Sequence, residues 1–214
     1  KLKVCGMRDS QNIRELTMLK PDYIGFIFYS ASPRNVGEVL SRSVLQEIPS
    51  EIKKVGVFVN PSLHEIKWQI KTYGLDVIQL HGEETPEFTA EVKALGIEVI
   101  KAFSIGNEDF DASRLEPYKK HVDFFLFDTR SKLKGGSGEA FDWSRLKDYD
   151  NEVPFFLSGG LSLKNIGNLK ELKGLNIHAI DVNSRFEISP GMKDLEMIKE
   201  LQNQLSPLRG NTRG

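Results

Sequence analysis

At 214 residues with a hydrophobic share of 39%, the chain is long enough for one large domain with its own core. Its 29 Lys plus Arg balance 30 Asp plus Glu to a formal net charge of -1, so nothing global recruits nucleic acid or an anionic membrane and only a local anion site stays open. One cysteine excludes an internal disulfide and any cysteine-cluster zinc or iron–sulfur centre, no apolar run approaches the roughly 18 residues of a membrane span, and the start lacks the cationic and apolar regions of a signal peptide, so the chain reads as cytoplasmic.

The first strand-like run, LKVCG, holds Cys5 and is followed by DSQNIRELTMLK, where an Asp or Ser can cap a helix. YIGFIF comes next, then SASPRNV with Arg34, then VGVFV. NPSLHEIKWQIKTYG predicts a helix capped by Asn60, with Pro61 in its first turn and Gly74 as its stop. VIQLH, the helix ETPEFTAEVKALG and EVIKAF continue the alternation. DFDASRLEPYKK and DWSRLKDY predict short or irregular helices on either side of FFLFD. PFFLSGG, SLKNIGNLKEL, HAIDVNS and GMKDLEMIKELQNQL complete the series. SPLRGNTRG lacks periodicity and is rich in breakers, so the domain is expected over 1–205, with a flexible tail or appended remnant over 206–214.

The strand-like runs number eight, recur at about 20 to 30 residue spacing and are nearly continuous in hydrophobicity, as strands covered on both faces are. Eight β-α units close a (β/α)8 barrel, expected here as one α/β domain. A doubly wound open sheet is the alternative. Against it, CGMRDSQN contains no GxGxxG, no GxxxxGK[ST] occurs, and GGSGEAF puts Phe141 where the third glycine of a dinucleotide cradle belongs.

In such a barrel the polar residues at the carboxyl ends of the strands converge on one mouth. Cys5 would stand at the end of strand 1, His81 of strand 4 and Asp128 of strand 6; Gly159 and Gly160 follow strand 7, Asn183 and Ser184 end strand 8, and Arg34 lies just past strand 2. Each also has a plain structural reading: a buried thiol, a capping carboxylate, a packed histidine, an ordinary Gly-Gly turn, a surface arginine. Taken together, a thiol lowered by cationic surroundings and a carboxylate raised by apolar ones make an acid/base set suited to moving protons within one substrate. Gly159 and Gly160 would let backbone amides approach a phosphate, with Ser184 adding a hydroxyl and Arg185 either charge or an outward side chain. Arg34 offers a planar fork to a carboxylate. KVGVFVN and YIGFIFY read as core, although Phe28 could line the opening. Four scattered histidines show no convergent metal site.

These residues resemble the phosphoribosylanthranilate isomerase family of tryptophan biosynthesis. The resemblance runs in order through KLKVCGMRD, YIGFIFYSASPRNV, KKVGVFVN, VIQLHGEE, KAF, FFLFDT, GGSGEAFDW, FLSGGL, AIDVNSRFE and SPGMKD, over about residues 1 to 200. It implies a (β/α)8 barrel catalysing an Amadori rearrangement, with Cys5 as general base and Asp128 as general acid. Arg34 would hold the anthranilate carboxylate, Gly160, Asn183 and Ser184 the phosphate, and His81 would add a supporting contact. It further implies no metal or organic cofactor, and a small phosphorylated substrate rather than nucleic acid or membrane as partner. A monomer is expected, a homodimer being the alternative. The family turn after strand 8 is Ser-Ser-Gly-like, whereas Asn183, Ser184 and Arg185 stand here, so an arginine occupies a position where glycine is usual. Two rivals are a related sugar-phosphate isomerase, which carries a carboxylate where Cys5 stands, and a noncatalytic phospholigand sensor.

Overall fold

Eight parallel strands hydrogen-bond in sequence order, and the last closes on the first, in a computed structural model that describes residues 1–37, 39–105, 111–128 and 143–209, apart from the side chains of 144, 145, 147 and 207–209. The strands are β1 (Leu2–Val4), β2 (Tyr23–Ile27), β3 (Lys53–Phe58), β4 (Val77–Leu80), β5 (Glu98–Ser104), β6 (Phe124–Asp128), β7 (Phe155–Ser158) and β8 (Ile177–Val182). Each coincides with one of the eight runs in the sequence. The closed ring rules out the open-sheet alternative and leaves the main sheet without edges.

Side chains alternate along each strand and sort into two cores. Leu2, Val4, Ile24, Phe26, Phe58, Ile78, Leu80, Val99, Phe125, Phe127, Phe155 and Leu157 face the surrounding helices. Tyr23, Val55, Val57, Val77, Ile100, Ala102, Leu126, Phe156 and Ala179 fill the barrel interior. Burial on both faces is the reason the strands read as continuous apolar runs rather than alternating ones.

The crossovers differ in regularity. In α1 (Ser10–Met18), Asp9 caps by accepting the Asn12 N–H at 2.8 Å. The cap of α3 (Leu63–Tyr73) is Ser62, which accepts from the Glu65 N–H at 3.1 Å. Asn60, the expected cap, instead adopts φ 49° and accepts the Glu83 N–H at 2.8 Å, tying the β3 loop to the β4 loop. Gly74 ends α3 in the left-handed conformation, as its position predicts. Thr85 and Pro86 start α4 (Pro86–Lys93).

A five-residue α2 (Arg42–Gln46), unmarked in the sequence, stands between β2 and β3. The crossovers after β5, β6 and β7 wind as 3-10 helices, Ala112–His121, Trp143–Asp148 and Ile166–Leu172. Pro117 lies inside the first, and Gly167 with Asn165 and Asn168 weakens the third, where a regular helix was expected. After β8 an antiparallel hairpin pairs β9 (Glu187–Ser189) with β10 (Met192–Lys193), and α5 (Leu195–Arg209) closes the ring. That helix runs four residues past the expected domain boundary at 205. The GGSGEAF loop, the first two residues of DFDASRLEPYKK and the last five residues of the tail lie outside the described residues. No described helix is long and apolar enough to cross a membrane.

Candidate active site at the carboxyl ends of the strands

Following the inward-facing positions upward along each strand leads from the apolar interior to a polar mouth. Lys3 and Cys5 alternate inward on β1, Val77, Gln79 and His81 on β4, Leu126 and Asp128 on β6, Phe156, Ser158 and Gly160 on β7, and Ala179, Asp181 and Asn183 on β8. A cavity of about 500 Å³ opens there. Its wall contains Cys5, Arg34, His81, Asp128, Gly159, Gly160, Asn183, Ser184 and Arg185, so all nine residues picked out in the sequence meet in one place. Cys5 and Asp128 sit on strands three places apart around the ring.

Cys5 is 4% exposed, and its N–H donates to the Val182 carbonyl at 2.9 Å, fixing it against β8. Gly25 on β2 makes room for it: a methyl there would lie 2.8 Å from the sulfur and 3.1 Å from the Cys5 Cα. Asp128 ends β6 buried at 6% exposure. His81 Nε2 lies 3.5 Å from Asp128 Oδ2. On its other side ring Nδ1 lies 2.7 Å from Gln79 Nε2, so the imidazole is held between that amide and Asp128.

Gly159 and Gly160 both hold left-handed dihedrals, φ 87° and 65°. Asn165 shapes this turn by donating from Nδ2 to the Gly160 carbonyl at 3.0 Å and accepting the Ser162 N–H at 2.8 Å. Asn183 accepts from Lys193 Nζ at 2.9 Å through Oδ1. Arg185 is exposed at the cavity rim. Its backbone is not among the left-handed non-glycine positions, so arginine in place of the usual glycine carries no dihedral strain. Phe28 stacks on Phe58 with centroids 5.2 Å apart instead of lining the opening, where Ile27 and Tyr29 stand.

The structure adds charged groups that the sequence reading passed over. Lys3 Nζ, fully buried, donates to Asp181 Oδ1 at 2.9 Å, and Ser158 Oγ donates to Asp181 Oδ2 at 3.3 Å. Burial would lower Lys3, but Asp181 and the Cys5 sulfur outweigh it and hold the ammonium above its ordinary value. The Cys5 thiol is held up, not down as expected: burial raises it most, Lys3 and Lys193 pull it back and Asp181 pushes it further. Glu187 is buried to 4% exposure against Arg34, which it receives at 2.6 Å from Nη2 and 2.9 Å from Nε. Lys3, Gln79, Ser158 and Asp181 each lie two residues before Cys5, His81, Gly160 and Asn183, so strand alternation counted back from the known positions would have found them. Glu187 and Lys193 had no such signal. Among the described residues no group of His, Cys, Asp and Glu is placed to hold a metal.

The model of the family described as N-(5'phosphoribosyl)anthranilate (PRA) isomerase matches residues 2–204. An N-(5'-phosphoribosyl)anthranilate isomerase of Parabacteroides distasonis is 45% identical over 208 residues, covering 95% of this chain and 92% of the relative. The crystal structure of phosphoribosyl anthranilate isomerase from Thermotoga maritima superposes with a TM-score of 0.84 at 33% identity, covering 97% of this chain and 98% of that one. A solved complex of such an isomerase with reduced 1-(o-carboxyphenylamino)-1-deoxyribulose 5-phosphate gives 0.79 at 30% identity, covering 97% and 98%. A family match over nearly the whole barrel, together with a mouth that gathers every residue of the sequence pattern, places this chain in the N-(5'-phosphoribosyl)anthranilate isomerase family of isomerases.

Proposed function

We propose that the chain converts N-(5'-phosphoribosyl)anthranilate to 1-(2-carboxyphenylamino)-1-deoxyribulose 5-phosphate, with Cys5 as general base and Asp128 as general acid. The observation that carries this reading is the shared cavity, with a thiol on β1 and a carboxylate on β6 opening into one space of substrate size. Family membership supplies the substrate class; the assignment of roles rests on the residue types and their placement.

The steps balance without a cofactor. Asp128 gives its proton to the ribose ring oxygen as the bond from that oxygen to C1 breaks and the anthranilate nitrogen lone pair forms the C=N bond of a Schiff base. Cys5, as thiolate, takes the proton from C2. The C–H electron pair becomes the C1=C2 bond, and the C=N pair returns to nitrogen, giving an enolamine. Loss of the enol proton and gain of one at C1 yield the ketose. Arg34 receives the anthranilate carboxylate and the turn at Gly159 and Gly160, with Asn183 and Ser184, receives the phosphate, so the reacting carbons are held between acid and base. Arg185 at the rim adds positive charge on the phosphate side, and His81 steadies Asp128 from Nε2.

Turnover of freshly generated phosphoribosylanthranilate under reducing conditions tests the proposal. Cys5→Ala and Asp128→Asn are each expected to lower turnover about 100- to 10,000-fold with the thermal midpoint little changed. Arg34→Ala is expected to act chiefly on KM. Folded wild-type protein that converts nothing would remove the activity, and an active Cys5→Ala would remove the proposed base.

A further inference from the structure

The carboxylate-binding arginine is itself held. Arg34 stands in the cavity wall, while Glu187 lies behind it, outside the wall and almost without solvent contact. Glu187 takes the side edge of the guanidinium: Nε donates at 2.9 and 3.0 Å and Nη2 at 2.6 Å. An arginine carries five N–H donors, so this pairing leaves three, of which one on Nη1 and one on Nη2 form the end edge open to a second planar anion.

Glu187 is anchored from three further directions. Lys193 Nζ donates a short hydrogen bond to it, the Gly191 N–H donates at 3.2 Å, and the β9–β10 register sets Glu187 opposite Lys193. Lys193 is pinned in turn by Asn12 on α1, whose amide donates to the Lys193 carbonyl at 3.0 Å and accepts its N–H at 2.7 Å. The Lys193 ammonium also donates to Asn183 on the phosphate side of the mouth. Arg34 and Asn183 close on one point, because a methyl on Gly6 would lie 2.8 Å from Arg34 Cδ and 2.6 Å from Asn183 Oδ1. A carboxylate fixed this way cannot swing aside as a placeholder for the ligand.

We propose that Glu187 is a positioning residue for substrate binding: held by Lys193 and the β9–β10 hairpin, it clamps the side edge of Arg34 so that the end edge receives the substrate carboxylate. This rests on the carboxylate-binding role of Arg34 proposed above. Burial pushes the Glu187 carboxyl up, but the hydrogen bonds from Arg34 and Lys193 outweigh it and keep the group ionised as the clamp requires.

The test uses calorimetric binding of two ligands to the intact chain, reduced 1-(o-carboxyphenylamino)-1-deoxyribulose 5-phosphate and the same compound without its carboxyl group. Glu187→Gln keeps the shape and removes the charge. It is expected to weaken the carboxylated ligand about 10- to 100-fold while leaving the other within about twofold. Glu187→Asp, which restores charge with shorter reach, is expected to recover part of that loss. Equal loss for both ligands would assign Glu187 to the fold alone and overturn the proposal. Unchanged or tighter binding of the carboxylated ligand would show that Glu187 is irrelevant or a competitor and overturn it too. Wild-type protein that binds both ligands equally would instead remove the role of Arg34, a separate result. Should neither variant fold, a structure of the wild-type complex decides: the Glu187–Arg34 pair intact supports the clamp, and a ligand carboxylate standing in place of Glu187 overturns it.

Discussion

In the proposed mechanism Cys5 and Asp128 hold one proton between them in a particular way. That mechanism starts with the proton on Asp128 and none on sulfur, whereas burial favours the protonated thiol. The reactive form is therefore one arrangement of a one-proton pair. We expect kcat/KM to fall once that proton leaves, above the ordinary thiol value of 9.0 because burial raises Cys5. Lys3 is the nearest source of stabilisation for the thiolate, and Lys3→Met is expected to lower kcat/KM about 10- to 100-fold and move the alkaline limb higher still. A limb that stays in place in Lys3→Met would show that Lys3 does not act on the sulfur. Because the same change leaves Asp181 without its buried partner, it should also destabilise the fold by about 3 kcal/mol or more, so rates are to be compared at a temperature where both proteins are folded.

At the scale of elements, a strand is both a wall and a ruler. The runs LKVCG, VIQLH, FFLFD and HAIDVNS were legible because burial on both faces demands apolar residues throughout, and their polar ends were legible because nothing else in those runs is polar at the tip. The inner members of the same faces were harder to see. Lys3 and Asp181 sit within runs whose overall hydrophobicity hides them, and their pairing depends on β8 closing on β1, which no local pattern specifies. Glu187 and Lys193 are further from view still: a hairpin of three- and two-residue strands leaves no periodicity to read. Asn60 misled for a definite reason, since its amide serves as well in a loop-to-loop bond as in a helix cap. Gly25 is the most informative residue of β2. Gly25→Ala is expected to cost about 1–3 kcal/mol of stability and to lower turnover by displacing the thiol, both measurable by urea unfolding and steady-state assay. Unchanged activity would mean that the sulfur can shift without penalty. Gly160→Ala, at φ 65°, should in contrast cost about 1 kcal/mol and raise KM rather than lower kcat.

Over the whole molecule, the two ends of the barrel divide chemistry from stability. Opposite the cavity, His178 packs against Phe124 and Phe156 and lies 2.8 Å from the Tyr23 hydroxyl. Burial first, then the Lys1 ammonium, lowers its pKa from 6.5 to about 4. The folded state thus refuses a proton that the unfolded chain accepts, and stability is lost as pH falls from 6.5 toward about 4. After allowance for solvent screening of a half-buried ring, this amounts to about 1–2 kcal/mol. Urea midpoints followed over that range should decline, and His178→Phe should flatten the decline even if its stability at neutral pH is lower. An equal slope in both proteins would place the acid sensitivity elsewhere.

The closure of β8 on β1 has a temporal meaning as well. Lys3 and its carboxylate partner are 178 residues apart, and the amide of Cys5 finds its acceptor in that same distant strand. A chain emerging from the ribosome therefore presents Cys5 long before the strand that carries its acceptor carbonyl and the carboxylate that pairs with Lys3. Products of translation that stop short of β8 carry the thiol without those partners.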